Sequence, residues 1–258
     1  MNMGPYEFLP IQLLLRIAYW AVTTLESFVE PVAGSESAAI TIILFTIGIR
    51  LLLIPVGVSQ VKAGVARTRM APKVTELRRR YHKNLEMLQR KTMALYAEEK
   101  VSPFAGCLPV LAQAPVLMAV YGLFIRPSID GHSNELLLRA FLGVPLDSGL
   151  LGLLTDGMIT WPAAAVFVAI IFLIAVVAQA SRHLLAPSSP PPSDSLPPGS
   201  PNPAAMMRVL SFMPFVTAGI AVLAPLAAGL YLLATTSWTL AERLVLIRIL
   251  EPGKVAPM

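Results

Sequence analysis

Four apolar blocks, Ala38 to Val58, Phe104 to Ile125, Trp161 to Ala180 and Val209 to Ala241, set the solvent in which this chain can fold. Each reaches about 20 residues, the length at which a helix covers the hydrocarbon core of a bilayer. Composition agrees: 55% of residues are hydrophobic and only 14% charged, more apolar than soluble domains of this length. The blocks therefore predict an all-α integral membrane protein.

The fourth block would be about 50 Å long as one helix, well beyond a hydrocarbon core of about 30 Å. Pro225, in "VLAPLAAGL", is the natural turn between two spans, both slightly short. Five transmembrane helices result. Lys62, Arg67, Arg69, Lys73, Arg78, Arg79, Arg80, Lys83, Arg90, Lys91 and Lys100 lie between the first two spans, which makes that loop cytoplasmic by the positive-inside rule. Counting from there places the N-terminus outside and the C-terminus inside.

The expected organisation follows along the chain. Residues 1–36 form an outer interfacial amphipathic helix, with Gln12, Arg16, Tyr19, Thr23 and Glu26 gathered on one face. The wide apolar face leaves a sixth span as the alternative. Residues 37–58 are the first span and 59–102 a cytoplasmic helical hairpin, rich in Leu, Met, Glu, Lys and Arg, kinked at Pro72 and broken near "YHKN" at Tyr81 to Asn84. The second span covers 103–126, an outer loop lying on the outer leaflet 127–159, and the third span 160–181. A Pro-rich cytoplasmic linker, 182–207, contains "APSSPPPSDSLPPGSPNP" and has no apolar content to bury. The fourth and fifth spans cover 208–247, and 248–258 is a cytoplasmic tail. The basic run Arg78 to Arg80 reads first as a solvated, topology-setting face and second as a site for anionic headgroups or ribosomal RNA.

Motifs for chemistry are missing. His82, His132 and His183 fall in three separate polar segments, so no zinc site of normal spacing can be assembled from them. There is no metalloprotease His-Glu pair, nucleophile elbow or phosphate loop. The lone Cys107 reads as a packing residue. An enzyme is not expected, and no metal or cofactor is implied.

Arg50 is the exception within the apolar blocks. An arginine at the centre of a span costs about 3 kcal/mol on insertion scales, which the surrounding Ile, Leu and Phe offset. It lies about 12 Å along the helix from Val58, too deep to snorkel easily, so it must face protein or water. No Asp or Glu occurs within the spans until Glu242, at the end of the last one. The candidate neighbours are neutral and polar: Thr46, Gln113, Gln179, Thr235, Thr236 and Ser237. An unneutralised charge in such company suits a passing anionic group.

The run "SPFAGCLPVLAQAPVLMAVYGLF" resembles the second-span signature of the YidC family of membrane protein insertases, Oxa and Alb relatives included, with Gly106, Cys107, Pro109, Gln113, Pro115 and Tyr121 in order. "TIGIRLLLIPVGVSQVKA" resembles the family's first span, with Arg50 at its groove arginine, followed by Pro55 and Gln60. "MAPKVTELRRRY" is similar to part of the family's hairpin, and "FMPFVTAGIAVLAPLAAGLYLLATTSWTLAER" to its final helix pair, with Pro214, Pro225, Gly229, Tyr231 and Trp238 in matching places. Leu232 stands where relatives often have a second aromatic residue, and Glu242 with Arg243 where many have paired glutamines. The short tail lacks the basic extension by which some relatives hold ribosomes.

The resemblance implies five spans around a hydrophilic groove lined by Arg50, Thr46, Gln113, Gln179, Thr235, Thr236 and Trp238. It implies an insertase for short-tailed membrane proteins in a bacterial plasma membrane, multi-pass, acting alone or with the Sec translocon. Its partners would be nascent membrane proteins, the lipid bilayer and the ribosome, with no sequence-specific nucleic acid and no cofactor. The residues themselves leave open an anion channel or transporter using Arg50, and a passive scaffold.

Overall fold

The computed structural model describes residues 9–99, 108–129, 131–185, 209 and 211–250, with side chains 108–113 excepted. Cys107, the linker from residue 186 onward and the tail beyond residue 250 lie outside the described residues.

Helix α1, Leu9–Ala33, turns its stripe of Ile11, Leu15, Ala18, Val22 and Glu26 into the molecule, a spacing of three and four that keeps all five on one helical face. That face packs along both α2, Ser37–Leu52, and α5, Leu108–Ile125. Leu13, Ile17 and Trp20 point outward. A single 3₁₀ turn, Gly34–Glu36, joins α1 to α2, with Gly34 at φ +54°, a conformation that glycine adopts without cost.

The first span does not run unbroken into the basic hairpin. Helix α2 stops at Leu52 and α3, Ile54–Arg80, begins two residues later, because Pro55 has no N–H to give and its ring crowds the carbonyl of Leu51. Pro72 is accommodated inside α3. Helix α4, Leu85–Glu98, starts at Asn84, whose side chain accepts a hydrogen bond from the Met87 amide at 2.9 Å. An ion pair between Lys73 and Glu99 ties the returning arm to α3.

Between α5 and α8, Trp161–Leu184, the chain folds into a compact loop with two small antiparallel ribbons, β1 (Ser128–Ile129) with β2 (His132–Ser133) and β3 (Ala140–Phe141) with β4 (Val144–Pro145). Short helices α6, Glu135–Leu138, and α7, Leu150–Thr155, complete it. The sequence expectation of a loop spread on a leaflet is corrected here: Leu136, Leu137, Val144 and Leu146 are buried in the main core. The buried Asn134 donates to the carbonyls of Leu123 and Arg126 at 2.8 and 3.1 Å, satisfying the open end of α5. Arg139 pairs with Glu26 at 3.4 Å and Glu30 at 2.9 Å, fastening the loop to α1.

Helices α9, Met213–Leu223, and α10, Leu226–Leu250, meet at Ala224 and Pro225. The loop caps this turn: the first amides of α10, at Leu226 and Ala227, donate to the carbonyls of Ser148 and Leu146 at 2.9 and 3.0 Å. Among the described residues α9 is short, 11 residues, and α10 is not. Helix α10 continues past Ala241 through "ERLVLIRIL" to about 37 Å, since these are good helix formers with no Pro or Gly among them.

Among the described residues, Leu9–Leu52, Trp161–Leu184 and Leu226–Leu250 are long and apolar enough to cross a membrane, and Ala114–Ile125 and Met213–Leu223 are shorter apolar helices. The protein is thus a largely helical, multi-pass membrane protein. Its packing is uneven. The core gathers Val22, Ala38, Ile42, Leu123, Phe124, Leu136, Leu146, Ile174 and Leu226, running from the loop end of the bundle inward. Small residues there, Ala38, Ala39, Ala227, Ala228 and Gly229, let the helix backbones approach closely. Toward the basic hairpin this core gives out.

Candidate functional site

Where the core gives out, an open pocket of about 280 Å³ lies between α2, α5 and α10, lined by Thr46, Ile49, Arg50, Leu53, Val116, Leu117, Val120, Tyr231 and Thr235. The α2 contributors recur at three- and four-residue steps, as do Tyr231 and Thr235 on α10, so two helical stripes face each other. Arg50 crosses between them. Its Nε donates to Thr235 Oγ1 at 2.8 Å, and its Nη2 donates to the same oxygen. The guanidinium is held by a neutral hydroxyl.

That anchoring has a geometric consequence. A guanidinium carries five N–H groups in a rigid plane. Thr235 engages the edge formed by Nε and Nη2, and among the described residues the edge formed by Nη1 and Nη2 has no partner and fits a bidentate one. One turn earlier on α2, the buried Thr46 donates its hydroxyl to the carbonyl of Ile42 at 2.7 Å, leaving its oxygen lone pairs on the pocket side.

A second open pocket, about 370 Å³, continues from the first toward the basic hairpin and is lined by Arg50, Leu53, Gly57, Gln60, Val61, Thr239, Glu242 and Arg243. Arg50 and Leu53 line both. The two pockets form one groove with Arg50 at its middle, apolar at the tightly packed end and polar at the other. Glu242 sits over Gly57, where an added Cβ would overlap its Oε1. Its Oε2 accepts from Trp238 Nε1 at 3.1 Å, while the buried Oε1 has no hydrogen-bond partner among the described residues.

Of the residues singled out in the sequence, Arg50, Thr46 and Thr235 meet in one pocket. Thr236 turns its hydroxyl to the backbone carbonyl of Leu232 at 2.7 Å, and Trp238 reaches Glu242; neither lines the groove. Gln179 is exposed on α8, where its amide pairs with His183 at 2.7 Å, and does not line the groove either. Gln113 belongs to α5, with a side chain outside the described residues. Tyr231, Thr239, Gln60, Glu242 and Arg243 were not placed in the groove by the sequence, although those on α10 had a signal. At about 100° per residue, Tyr231, Thr239 and Glu242 fall within about 40° of Thr235, whereas Thr236 is turned about 100° away.

The family model of the 60Kd inner membrane protein matches residues 28–253. The chain belongs to this family. The 60Kd inner membrane protein match covers α2 to α10 and agrees with the YidC-family resemblance of the two spans. Among similar curated proteins, the membrane protein insertase YidC of Oceanobacillus iheyensis is 38% identical over 109 residues, 40% of this chain and 43% of the relative. The membrane protein insertase MisCA of Bacillus subtilis is 34% identical over 123 residues, 46% of this chain and 47% of the relative. The inner membrane ALBINO3-like protein 1 of Chlamydomonas reinhardtii aligns more widely, 27% identical over 213 residues, 76% of this chain and 41% of the relative. This member of the 60Kd inner membrane protein family thus spans less than half the length of these curated relatives in each match.

Proposed function

We propose that the chain is a membrane protein insertase, which takes short polar or acidic segments of client membrane proteins part-way into the bilayer through the groove around Arg50. One observation carries this reading: a half-buried guanidinium, tied to a neutral hydroxyl, with one hydrogen-bonding edge unpartnered among the described residues, between two adjoining pockets that it lines. The names of the curated relatives, membrane protein insertases, support it.

In this reading five spans, α2, α5, α8, α9 and α10, surround the groove, with α1 at the outer interface. The basic hairpin and the C-terminus are cytoplasmic, and the membrane is a bacterial plasma membrane. The dense, loop-capped end faces outward and blocks through-passage of water. The hydrated half lowers the cost of bringing a carboxylate below the headgroups, because arranged dipoles and an opposite charge replace its water. The client's own apolar segment leaves sideways into lipid and supplies the driving force. Beside α9, whose described 11 residues span only about 16 Å, the bilayer thins and the remaining barrier narrows. Partners are nascent membrane proteins and lipid, with the Sec translocon and the ribosome as delivery systems.

The test is insertion of a single-span client into liposomes holding the purified protein. With an acidic translocated tail, Arg50→Ala slows insertion about tenfold, one charge-assisted contact in a hydrated site; with a neutral tail it slows insertion much less. Equal slowing of both clients would remove charge capture from the mechanism. No insertion above empty liposomes, together with anion flux, would favour an anion channel instead.

A further inference from the structure

The half of the groove toward the basic hairpin contains an acceptor that the capture of acidic segments does not use. Glu242 Oε1 is buried without a hydrogen-bond partner among the described residues, while its sister oxygen is held by Trp238. The carboxylate is pressed onto α3 at Gly57, the one residue type that leaves it room. Buried carboxylate oxygens are ordinarily satisfied, so one without a donor, on a side chain that lines a groove, is an acceptor in want of a partner. Arg243 and Arg50 line the same pocket. Arg243 is exposed, where solvent screens it, and neither arginine forms an ion pair with Glu242 among the described residues.

We infer that Glu242 is a binding site for a basic residue of the client, so that the groove reads a charge pair, an acid at Arg50 and a base at Glu242. The inference rests on the insertase reading and specifies its substrate class. Thr235, which marks the depth of Arg50, and Glu242 are seven residues apart on α10, about 10.5 Å along the axis. An extended client segment covers that distance in about three residues. The preferred client therefore carries Asp or Glu in its leading tail and Lys or Arg about three residues behind it, on the hairpin side. The order matters, because the reversed pair sets like charges at both positions.

Three single-span clients test this in liposomes: Asp alone, Asp with Lys three residues behind it, and Asp with Lys three residues ahead of it. The protein inserts the trailing-Lys client about tenfold faster than the Asp-only client, the worth of one charge-assisted hydrogen bond, and the leading-Lys client no faster. In Glu242→Gln this ratio falls to about one. Gly57→Ala keeps the charge but pushes the carboxylate off α3, and it lowers the ratio too. A wild-type ratio of one, or an unchanged ratio in both variants, overturns the inference.

A binding arm separates this failure from failure of the insertase reading. Trp20 and Trp161 are exposed, so Trp20→Phe with Trp161→Phe leaves Trp238, the third tryptophan, beside Glu242 as a fluorescent reporter. The same three peptides are titrated in detergent. Tighter binding of the trailing-Lys peptide by about tenfold, lost in Glu242→Gln, supports the site even if nothing inserts. Insertion without any Lys preference in either arm overturns the site and leaves the insertase reading standing.

Discussion

Replacing Thr235 by valine keeps the side-chain volume and removes the oxygen that anchors Arg50. Thr235 is 7% exposed and accepts from both Nε and Nη2 of Arg50. Hydrogen bonds to a charged group contribute about 1.5–3 kcal/mol each when the partner is lost to a dry site. Arg50, however, borders a pocket open to solvent, so water takes over its freed donors and the loss sits at the low end, about 1.5 kcal/mol. The added methyl group recovers about 0.5 kcal/mol by burial, which leaves a net destabilisation of about 1 kcal/mol, or about 3 °C in Tm for a chain of this size. The assay is a double-mutant cycle on thermal unfolding in detergent: wild type, Thr235→Val, Arg50→Ala and the double variant. If the contact is energetic, the double variant loses about 1.5 kcal/mol less than the sum of the singles, because the methyl gain is common to both and cancels. Additivity within about 0.3 kcal/mol would refute the anchoring argument, and with it the assignment of a free guanidinium edge.

Asn134→Ala strips both hydrogen bonds from the carbonyls of Leu123 and Arg126 at the end of α5 and costs about 2 kcal/mol, read as a fall in thermal stability in detergent. Asn84→Ala removes the cap of α4 and costs that helix about 1 kcal/mol, read as faster amide exchange at Met87 and its neighbours with little change in Tm. The Glu99 carboxyl titrates below its ordinary value, first because Lys73 hydrogen-bonds to it and then through the Lys73 charge. Its folded-state value is depressed, so the Lys73 tie is fully present above the ordinary carboxylate range and is lost as pH falls through the lowered value. Amide exchange at the end of α4 accelerates over that acidic window in the wild type and is already fast at pH 7 in Glu99→Gln.

What could be seen in the sequence was what one residue or one turn decides alone. Arg50 stands out because its charge is priced against lipid whatever surrounds it, and Asn84 caps a helix by bonding its own neighbours. Pro225 marks a turn for the same local reason. The rest depended on which surface each residue meets. Gln179 is polar, but α8 buries Ala163, Phe167, Ile170, Ile174 and Ala178, and the next position points off that stripe. Leu136 and Leu146 looked fit for lipid because lipid and protein interior are equally apolar solvents for leucine; only the docking of the loop on the helix ends chose between them. Glu242 over Gly57 joins residues 185 positions apart, and no local pattern announces such a contact.

The capping of α10 by Leu146 and Ser148 has a mechanical meaning. A helix about 37 Å long, clamped at its first residues and cross-tied at Thr235, behaves as a cantilever. Its built-in end stays fixed, and any bending load produces the largest displacement at the free end. The free end carries Glu242 and Arg243, where the groove is widest and polar. In the proposed insertase, a client segment wedged there spreads α3 from α10 without disturbing the clamped end, so the molecule yields on one side while the other stays fixed.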